Sequence, residues 1–146
     1  SPLVDLMANA DLGGKTVLYM LDAVICAPSE GASITADNSK WQQAPFNQDY
    51  TSSIFVSQDP VAIDSVGADF LANVSDNNSA VKNAANENYL HEAGLVSNAP
   101  SGTVYTDNHG NTVSNLGVHE HWNNSADKQY SRNLGKDEGI ELIKIK

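Results

Sequence analysis

The sequence predicts a single α/β domain, with a mixed sheet, helices packed on it, and a β-hairpin and polar tail at its C-terminal end. Residues 16–25 form an apolar run, interrupted by Asp22, whose length and composition are typical of a buried strand. A short strand at residues 52–57 runs directly into a helix that begins with Asp59-Pro60. After Pro100 the pattern changes to short β segments around turn residues. Because 146 residues suffice for one hydrophobic core, we assign residues 1–146 to one domain.

The N-terminal half contains two short regular elements and one long loop. Residues 2–10 are predicted to form a short helix that Gly13-Gly14 ends, and residues 16–25 a strand covered on both faces. Residues 26–50 have no hydrophobic period and are predicted to form a long loop, which is either a binding loop or lid or a disordered segment. Within this loop we expect Trp41 to pin the chain to the body, and a role as a ligand platform stays open.

The second half begins with the clearest helix signal of the chain. Asp59 is a strong N-cap residue and Pro60 suits the first helical position. A second helix is predicted at residues 80–93, ended by Gly94, and residues 107–111 have the composition of a hairpin turn. The remaining assignments are an extended piece at 116–122, an irregular polar stretch at 123–136 and a closing strand at 139–145.

Composition excludes several functional classes. The net charge of −10, from 18 acidic and 8 basic residues, repels phosphate backbones, so we expect no nucleic-acid partner. No apolar run is long enough for a membrane span. Cys26 is the only cysteine, which excludes an iron–sulfur cluster held by this chain alone. The acidic, Asn-rich and Lys-poor composition is typical of an exported bacterial protein, so we expect an extracytoplasmic, periplasmic or secreted, location.

Three aspartates, Asp22, Asp59 and Asp64, stand at or just beyond the ends of predicted strands. If the two strands are parallel neighbours, Asp22 and Asp59 lie at the same edge of the sheet. Carboxylate clusters of this kind bind Mg²⁺ or Ca²⁺, so we predict an acidic pocket for a divalent metal or small ligand. The alternative is that Asp59 caps its helix and Asp64 bonds the nearby backbone.

His119-Glu120-His121 is the most metal-like short pattern. In an extended segment, residues i and i+2 face the same side, so both imidazoles could contact one transition-metal ion. The alternative is that they are structural histidines or an exposed polar face. A third ligand would have to come from elsewhere, and the candidates are His91, His109, Glu92 or an aspartate.

Near Trp122 lies the only basic cluster, formed by Lys128, Arg132 and Lys136. An aromatic face beside arginine and amides suits a carbohydrate or a carboxylate ligand. The alternative is that Arg132 ties the polar tail to the acidic body by ion pairs. Phosphate-binding glycine motifs are missing from the sequence, which gives nucleotide chemistry no support. The nucleophile elbow of serine hydrolases is missing as well.

Three segments carry a family resemblance: residues 18–23 (LYMLDA), 53–67 (SIFVSQDPVAIDSVG) and 89–93 (YLHEA). They resemble the C-terminal portion of the bacterial domain-of-unknown-function family 362. Residues 116–135 resemble an extension found in exported members. The site residues that the resemblance implies are Asp22, Asp59 and Asp64 and, more weakly, His91 and Glu92.

The family has no assigned activity, so the resemblance implies an architecture rather than a reaction. Some relatives carry ferredoxin-like cysteine motifs, from which this chain departs with Cys26 alone. Full-length members are longer at the N-terminus, which implies the N-terminal remainder of the same domain as a partner.

The function predicted from the sequence is that of an exported domain with an acidic, metal- or ligand-binding pocket, enzymatic or accessory. One alternative is a non-catalytic module that binds glycan or protein through Trp41 and Trp122. Another is a structural half-domain that works only with its N-terminal partner. Whether the protein is an enzyme stays open at this stage.

Overall fold

The computed structural model describes residues 1–27, 31–73 and 87–145. Within these residues the chain forms three helices and two small antiparallel sheets of two strands each. The helices are α1 (Pro2–Ala8), α2 (Pro60–Asn73) and α3 (Asn88–Gly94), and the strands are β1 (Tyr19–Ala23), β2 (Lys40–Trp41), β3 (Asp49–Tyr50) and β4 (Ser53–Ser57). None of the described helices is long and apolar enough to cross a membrane.

The larger sheet pairs β1 with β4 in antiparallel register, with Met20 opposite Val56 and Asp22 opposite Ile54. The expectations of a mixed sheet and of parallel neighbours are therefore wrong for the described residues. The strand at 16–25 is also shorter than expected and is covered on one face only. Helix α2 packs on the inner face, whereas Met20 and Val56 on the outer face are 64% and 58% exposed. Alternation of side chains across a strand produces this division.

Helix α2 is the central element, and its start confirms the predicted cap. The Asp59 carboxylate accepts hydrogen bonds from the backbone N–H groups of Val61 and Ala62, both at 2.9 Å. These bonds satisfy two of the donors that a helix start leaves free. The helix then contacts β1, β4 and α3.

Two hydrophobic clusters form the core. One joins α1, α2 and α3 and consists of Val4, Val61, Leu90, Ala93, Val96, Ala99 and Tyr105. The other consists of Trp41, Val66, Phe70, Tyr130 and Ile140. Trp41 is only 5% exposed and meets Phe46 edge-to-face at 5.2 Å between ring centroids. Its predicted role of pinning the long loop is confirmed, and the alternative role as a ligand platform stays a prediction.

The C-terminal part is less regular than the sequence predicts. An isolated antiparallel bridge between Thr106 and Thr112 closes the predicted turn at 107–111. The closing strand at 139–145 is wrong, because these residues belong to no named strand and are held instead by Glu120 and Asn133. Of the helix predicted at 80–93, the structure describes only the part within α3, and residues 80–86 lie outside the described residues.

Candidate metal centre

Residues 117–122, here called the histidine segment, lie extended along helix α2. At one end the backbone N–H of Val118 donates to Asp59 Oδ2 at 2.9 Å. At the other end the N–H of Trp122 donates to Asp69 Oδ2 at 3.1 Å. Gly117 makes the approach possible, since a Cβ there would overlap Asp59 Oδ1 and its φ is +145°. Carboxylates at both ends of α2 therefore fix the segment against the helix.

The spacing of the two histidines matches the spacing of two polar residues on α2. Ser65 and Asp69 are one helical turn apart, an axial rise of about 6 Å. His119 and His121 are two residues apart in extended chain, an advance of about 6.6 Å. Consequently His119 meets Ser65 and His121 meets Asp69, each through its Nδ1 atom. This match explains why the histidine segment keeps one register on the helix.

Glu120 faces away from the two histidines, as alternation in an extended chain requires. Its carboxylate accepts hydrogen bonds from the backbone N–H groups of Ser131 at 2.8 Å and Ile140 at 2.7 Å. Burial raises the pKa of Glu120, but these hydrogen bonds outweigh burial and the net pKa is lowered. Glu120 thus holds the C-terminal tail in place, on the side of the segment opposite His119 and His121.

The hydrogen bonds of Ser65 determine which nitrogen of His119 carries a proton. The Ser65 hydroxyl lies 2.7 Å from the Val61 carbonyl oxygen and 2.9 Å from His119 Nδ1. A carbonyl only accepts, so the single hydroxyl proton goes to Val61 and the Ser65 oxygen accepts from Nδ1–H. The lone pair of His119 is therefore on Nε2. That atom is buried and has no hydrogen-bond partner among the described residues.

Asp69 fixes His121 in the same way. Its Oδ1 atom lies 2.8 Å from His121 Nδ1, and a carboxylate accepts, so Nδ1 donates. Asp69 is 3% exposed, and its Oδ2 atom also accepts from the Tyr130 hydroxyl at 2.9 Å. Carboxylates that orient a metal-binding imidazole through its second nitrogen are a recurrent feature of metal sites. The arrangement leaves His121 Nε2 facing Glu87.

Glu87, His119 and His121 together form a group that could hold a metal ion. One ligand atom from each lies within 4.8 Å of the others, and Glu87 Oε2 is 3.2 Å from His121 Nε2. Two ligands of a tetrahedral ion with bonds near 2.0–2.1 Å are separated by about 3.4 Å. One side of the triangle already has this length, and modest side-chain rotation closes the other two.

The charges of the group differ between the two histidines. Burial lowers the pKa of His119 to about 4, and the neighbouring imidazoles of His91 and His121 lower it to a smaller extent. For His121 burial acts in the same direction, but the hydrogen bond and charge of Asp69 and the charge of Glu87 outweigh it and raise the pKa. His119 is thus neutral near pH 7, and His121 lies where two carboxylates favour a positive charge.

Helix α3 lies next to the histidine segment and brings a third imidazole. The His91 and His119 rings meet edge-to-face with 4.6 Å between centroids, and the His119 and His121 rings at 5.0 Å. Gly94 allows this approach, since a Cβ at that position would lie 2.7 Å from the Cβ of His119. His91, one of the third ligands that the sequence suggested, therefore lies beside the group. The third member of the group is instead Glu87, which was not among those candidates.

The structure does not bring the three predicted aspartates together. Asp22 is exposed and accepts from its own backbone neighbour Val24 at 2.9 Å. Because β1 and β4 are antiparallel, Asp22 lies near the start of β4, whereas Asp59 follows its end. Asp64 accepts from the Tyr89 hydroxyl at 3.1 Å, and burial raises its pKa. Among the described residues, no metal-like group contains any of the three.

Glu92, the other weaker candidate of the predicted pocket, has a structural role. It is buried, and its carboxylate accepts hydrogen bonds from the backbone and hydroxyl of Ser101 and from the Tyr105 hydroxyl, all within 2.7 to 2.9 Å. These hydrogen bonds hold the chain after α3 and occupy both carboxylate oxygens of Glu92. Glu92 is therefore not a member of the group that could hold a metal ion.

The aromatic and basic candidates are also separate from the group. Trp122 packs edge-to-face on Phe70 at 5.1 Å, and Lys128 Nζ lies 4.8 Å from the centre of its ring. Arg132 is exposed and makes no ion pair with any described residue. The ion pairs expected to tie the polar tail to the body are therefore wrong for the described residues, because Glu120 and Asn133 hold the tail instead.

Sequence reasoning missed Glu87, Ser65 and Asp69. A signal for Glu87 was present, since Glu87 and His91 are four residues apart within a predicted helix and so share a face. Ser65 and Asp69 have the same spacing on α2. Neither signal could be connected with the histidine segment without knowing which helices flank it.

No protein-family model, no curated protein and no solved structure matches this chain.

Proposed function

We propose that this protein binds one divalent transition-metal ion through Glu87, His119 and His121. The observation that carries the proposal is the buried Nε2 atom of His119, whose lone pair faces no donor among the described residues. Burying an acceptor without a partner costs free energy, and an ion at this position removes the cost. The function is thus metal binding by a histidine–carboxylate group rather than by the strand-end aspartates.

The ligand atoms indicate the class of ion. Two imidazoles and one carboxylate suit Zn²⁺, Fe²⁺, Co²⁺ or Ni²⁺, whereas Mg²⁺ and Ca²⁺ prefer oxygen ligands. Hydrogen bonds to Ser65 and Asp69 hold both Nδ1 atoms, so the two histidines bind through Nε2. Charge favours a divalent cation as well, because Glu87 and Asp69 bring two negative charges to the group.

Isothermal titration calorimetry of metal-free protein with Zn²⁺ tests the proposal. We expect one ion per chain in the wild type. His119→Ala and His121→Ala should each raise Kd by at least about tenfold, the lower limit for losing even a residue that orients a ligand. His109→Ala is the matched control, because His109 is exposed in the 107–111 turn and outside the group. Equal affinity in all four proteins, or no binding, would overturn the proposal.

The family resemblance and the extracytoplasmic location stay predictions that rest on sequence motifs and composition. The glycan-binding alternative has less support than metal binding. Trp41 is buried, and Trp122 is partly buried against Phe70 with Lys128 over its ring, so neither presents an open aromatic face.

A further inference from the structure

His91 is an exposed imidazole beside the proposed metal ligands. It lies four residues after Glu87, the N-cap residue of α3, so both side chains are on the side of α3 that is next to the histidine segment. Among the described residues its ring nitrogens have no hydrogen-bond partner, and the only ring that its imidazole contacts is that of His119. Within the described residues, rotation of the side chain toward the group therefore breaks no hydrogen bond of its ring.

The ring separations are those expected for several imidazoles around one ion. With metal–nitrogen bonds near 2.0–2.1 Å and tetrahedral angles, two bound imidazole rings have centroids about 5 Å apart. The His119–His121 separation is 5.0 Å and the His91–His119 separation is 4.6 Å. His91 is outside the group whose ligand atoms all lie within 4.8 Å of one another, so its side chain must rotate to direct a ring nitrogen at the ion.

We infer that His91 is the fourth protein ligand, so that the bound ion is held by His91, His119, His121 and Glu87. This inference rests on the metal site proposed above and extends it. Four protein ligands fill a tetrahedral shell, the arrangement of structural zinc sites, whereas catalytic sites keep one position open. The ion therefore joins α3 to the histidine segment, and three imidazoles select Zn²⁺ or Co²⁺ over Mg²⁺ and Ca²⁺.

The decisive experiment is a Zn²⁺ titration of the whole chain followed by NMR correlation of the histidine ring protons with the ring nitrogens. Binding changes the shift of the nitrogen that joins the ion. We expect one ring nitrogen of His91 to change together with Nε2 of His119 and His121, at one equivalent of Zn²⁺. His109 should keep its shifts and serves as the internal control.

Affinity measurements complete the test. His91→Ala should raise the Kd for Zn²⁺ at least about tenfold without lowering Tm in the absence of metal, because the side chain is exposed. If His119 and His121 respond to Zn²⁺ while His91 keeps its shifts and His91→Ala binds like wild type, the four-ligand set is overturned and the three-ligand site stands. If no histidine responds, both proposals fail.

Discussion

Asp69 determines which nitrogen of His121 carries the proton, as Ser65 does for His119. One carboxylate oxygen accepts from His121 Nδ1, and the other accepts from the backbone N–H of Trp122 and the hydroxyl of Tyr130. The side chain is 3% exposed, and charge-assisted hydrogen bonds of this kind are among the stronger ones in proteins. A single buried carboxylate thus links α2, the histidine segment and the tail.

Asp69→Asn should weaken metal binding by reversing the tautomer of His121. The Trp122 backbone N–H can only donate, so the oxygen of the new amide must face it, and the amide NH₂ then faces His121 Nδ1. His121 would accept at Nδ1 and carry its proton on Nε2, which removes the ligand lone pair. We expect Kd for Zn²⁺ to rise roughly 10- to 100-fold, with a loss of about 1 kcal/mol in folding free energy, measured by calorimetry and urea unfolding.

Asp64→Asn is the matched control for that change. Asp64 is on the same helix, and from the described residues its side chain accepts one hydrogen bond, from the Tyr89 hydroxyl, which an amide oxygen accepts equally well. The Kd of the Asp64→Asn variant for Zn²⁺ should stay within about twofold of the wild-type value. If Asp69→Asn also binds Zn²⁺ with unchanged affinity, Asp69 does not set the proton position of His121.

At the scale of the elements, the Glu92 carboxylate on α3 holds the following part of the chain against the helix by hydrogen bonds. Glu92 accepts from Ser101 and from the Tyr105 hydroxyl, and the N-terminal ammonium group of Ser1 donates to that same hydroxyl at 2.9 Å. Burial is the largest single influence on Glu92 and raises its pKa. The hydrogen bonds and the N-terminal charge together outweigh burial, so the net pKa lies below the ordinary 4.5.

Because its folded-state pKa is lowered, Glu92 should make the protein sensitive to acid. Its contribution is fully present above about pH 4.5, the ordinary value, and is lost as the pH falls through the lowered pKa. Glu92→Gln should lower Tm by about 5 °C at pH 7, and this difference from wild type should shrink below about pH 4. Thermal unfolding measured between about pH 3 and 7 checks this. Glu138→Gln, at an exposed position, should have the same dependence of Tm on pH as the wild type. If the Tm of Glu92→Gln differs from that of the wild type by the same amount at every pH, Glu92 is not the source of the acid sensitivity.

At the scale of the whole molecule, the parts predicted correctly are those with local causes. Asp59-Pro60 caps α2, and Trp41 is buried in the core. Alternation correctly predicted that His119 and His121 face one side. What failed depended on long-range pairing: the direction of β1 relative to β4, and the conformation of residues 139–145. The metal group likewise joins Glu87, just before α3, to the histidine segment, which α2 orients through Ser65 and Asp69, and nothing local to either part indicates the other.

Since the group joins distant parts of the chain, an ion bound there should stabilise the whole fold. An ion bound only by the folded state, at about 100 times its Kd, adds about 2.7 kcal/mol. For a chain of this size that corresponds to a rise in Tm of about 5 to 10 °C. We expect this rise for wild type with Zn²⁺, its reversal by a chelator, and its loss in His121→Ala.

Asp22→Asn decides between the two locations that the sequence offers for an ion. Asp22 is exposed near the end of β1, and the antiparallel pairing places it opposite Ile54, at the other end of β4 from Asp59. Its substitution should therefore leave the Zn²⁺-dependent rise in Tm intact. Loss of the rise in Asp22→Asn, together with its retention in His121→Ala, would place the ion among the strand-end carboxylates. The opposite pattern requires the histidine segment, because His121 belongs to that segment and Asp22 belongs to β1.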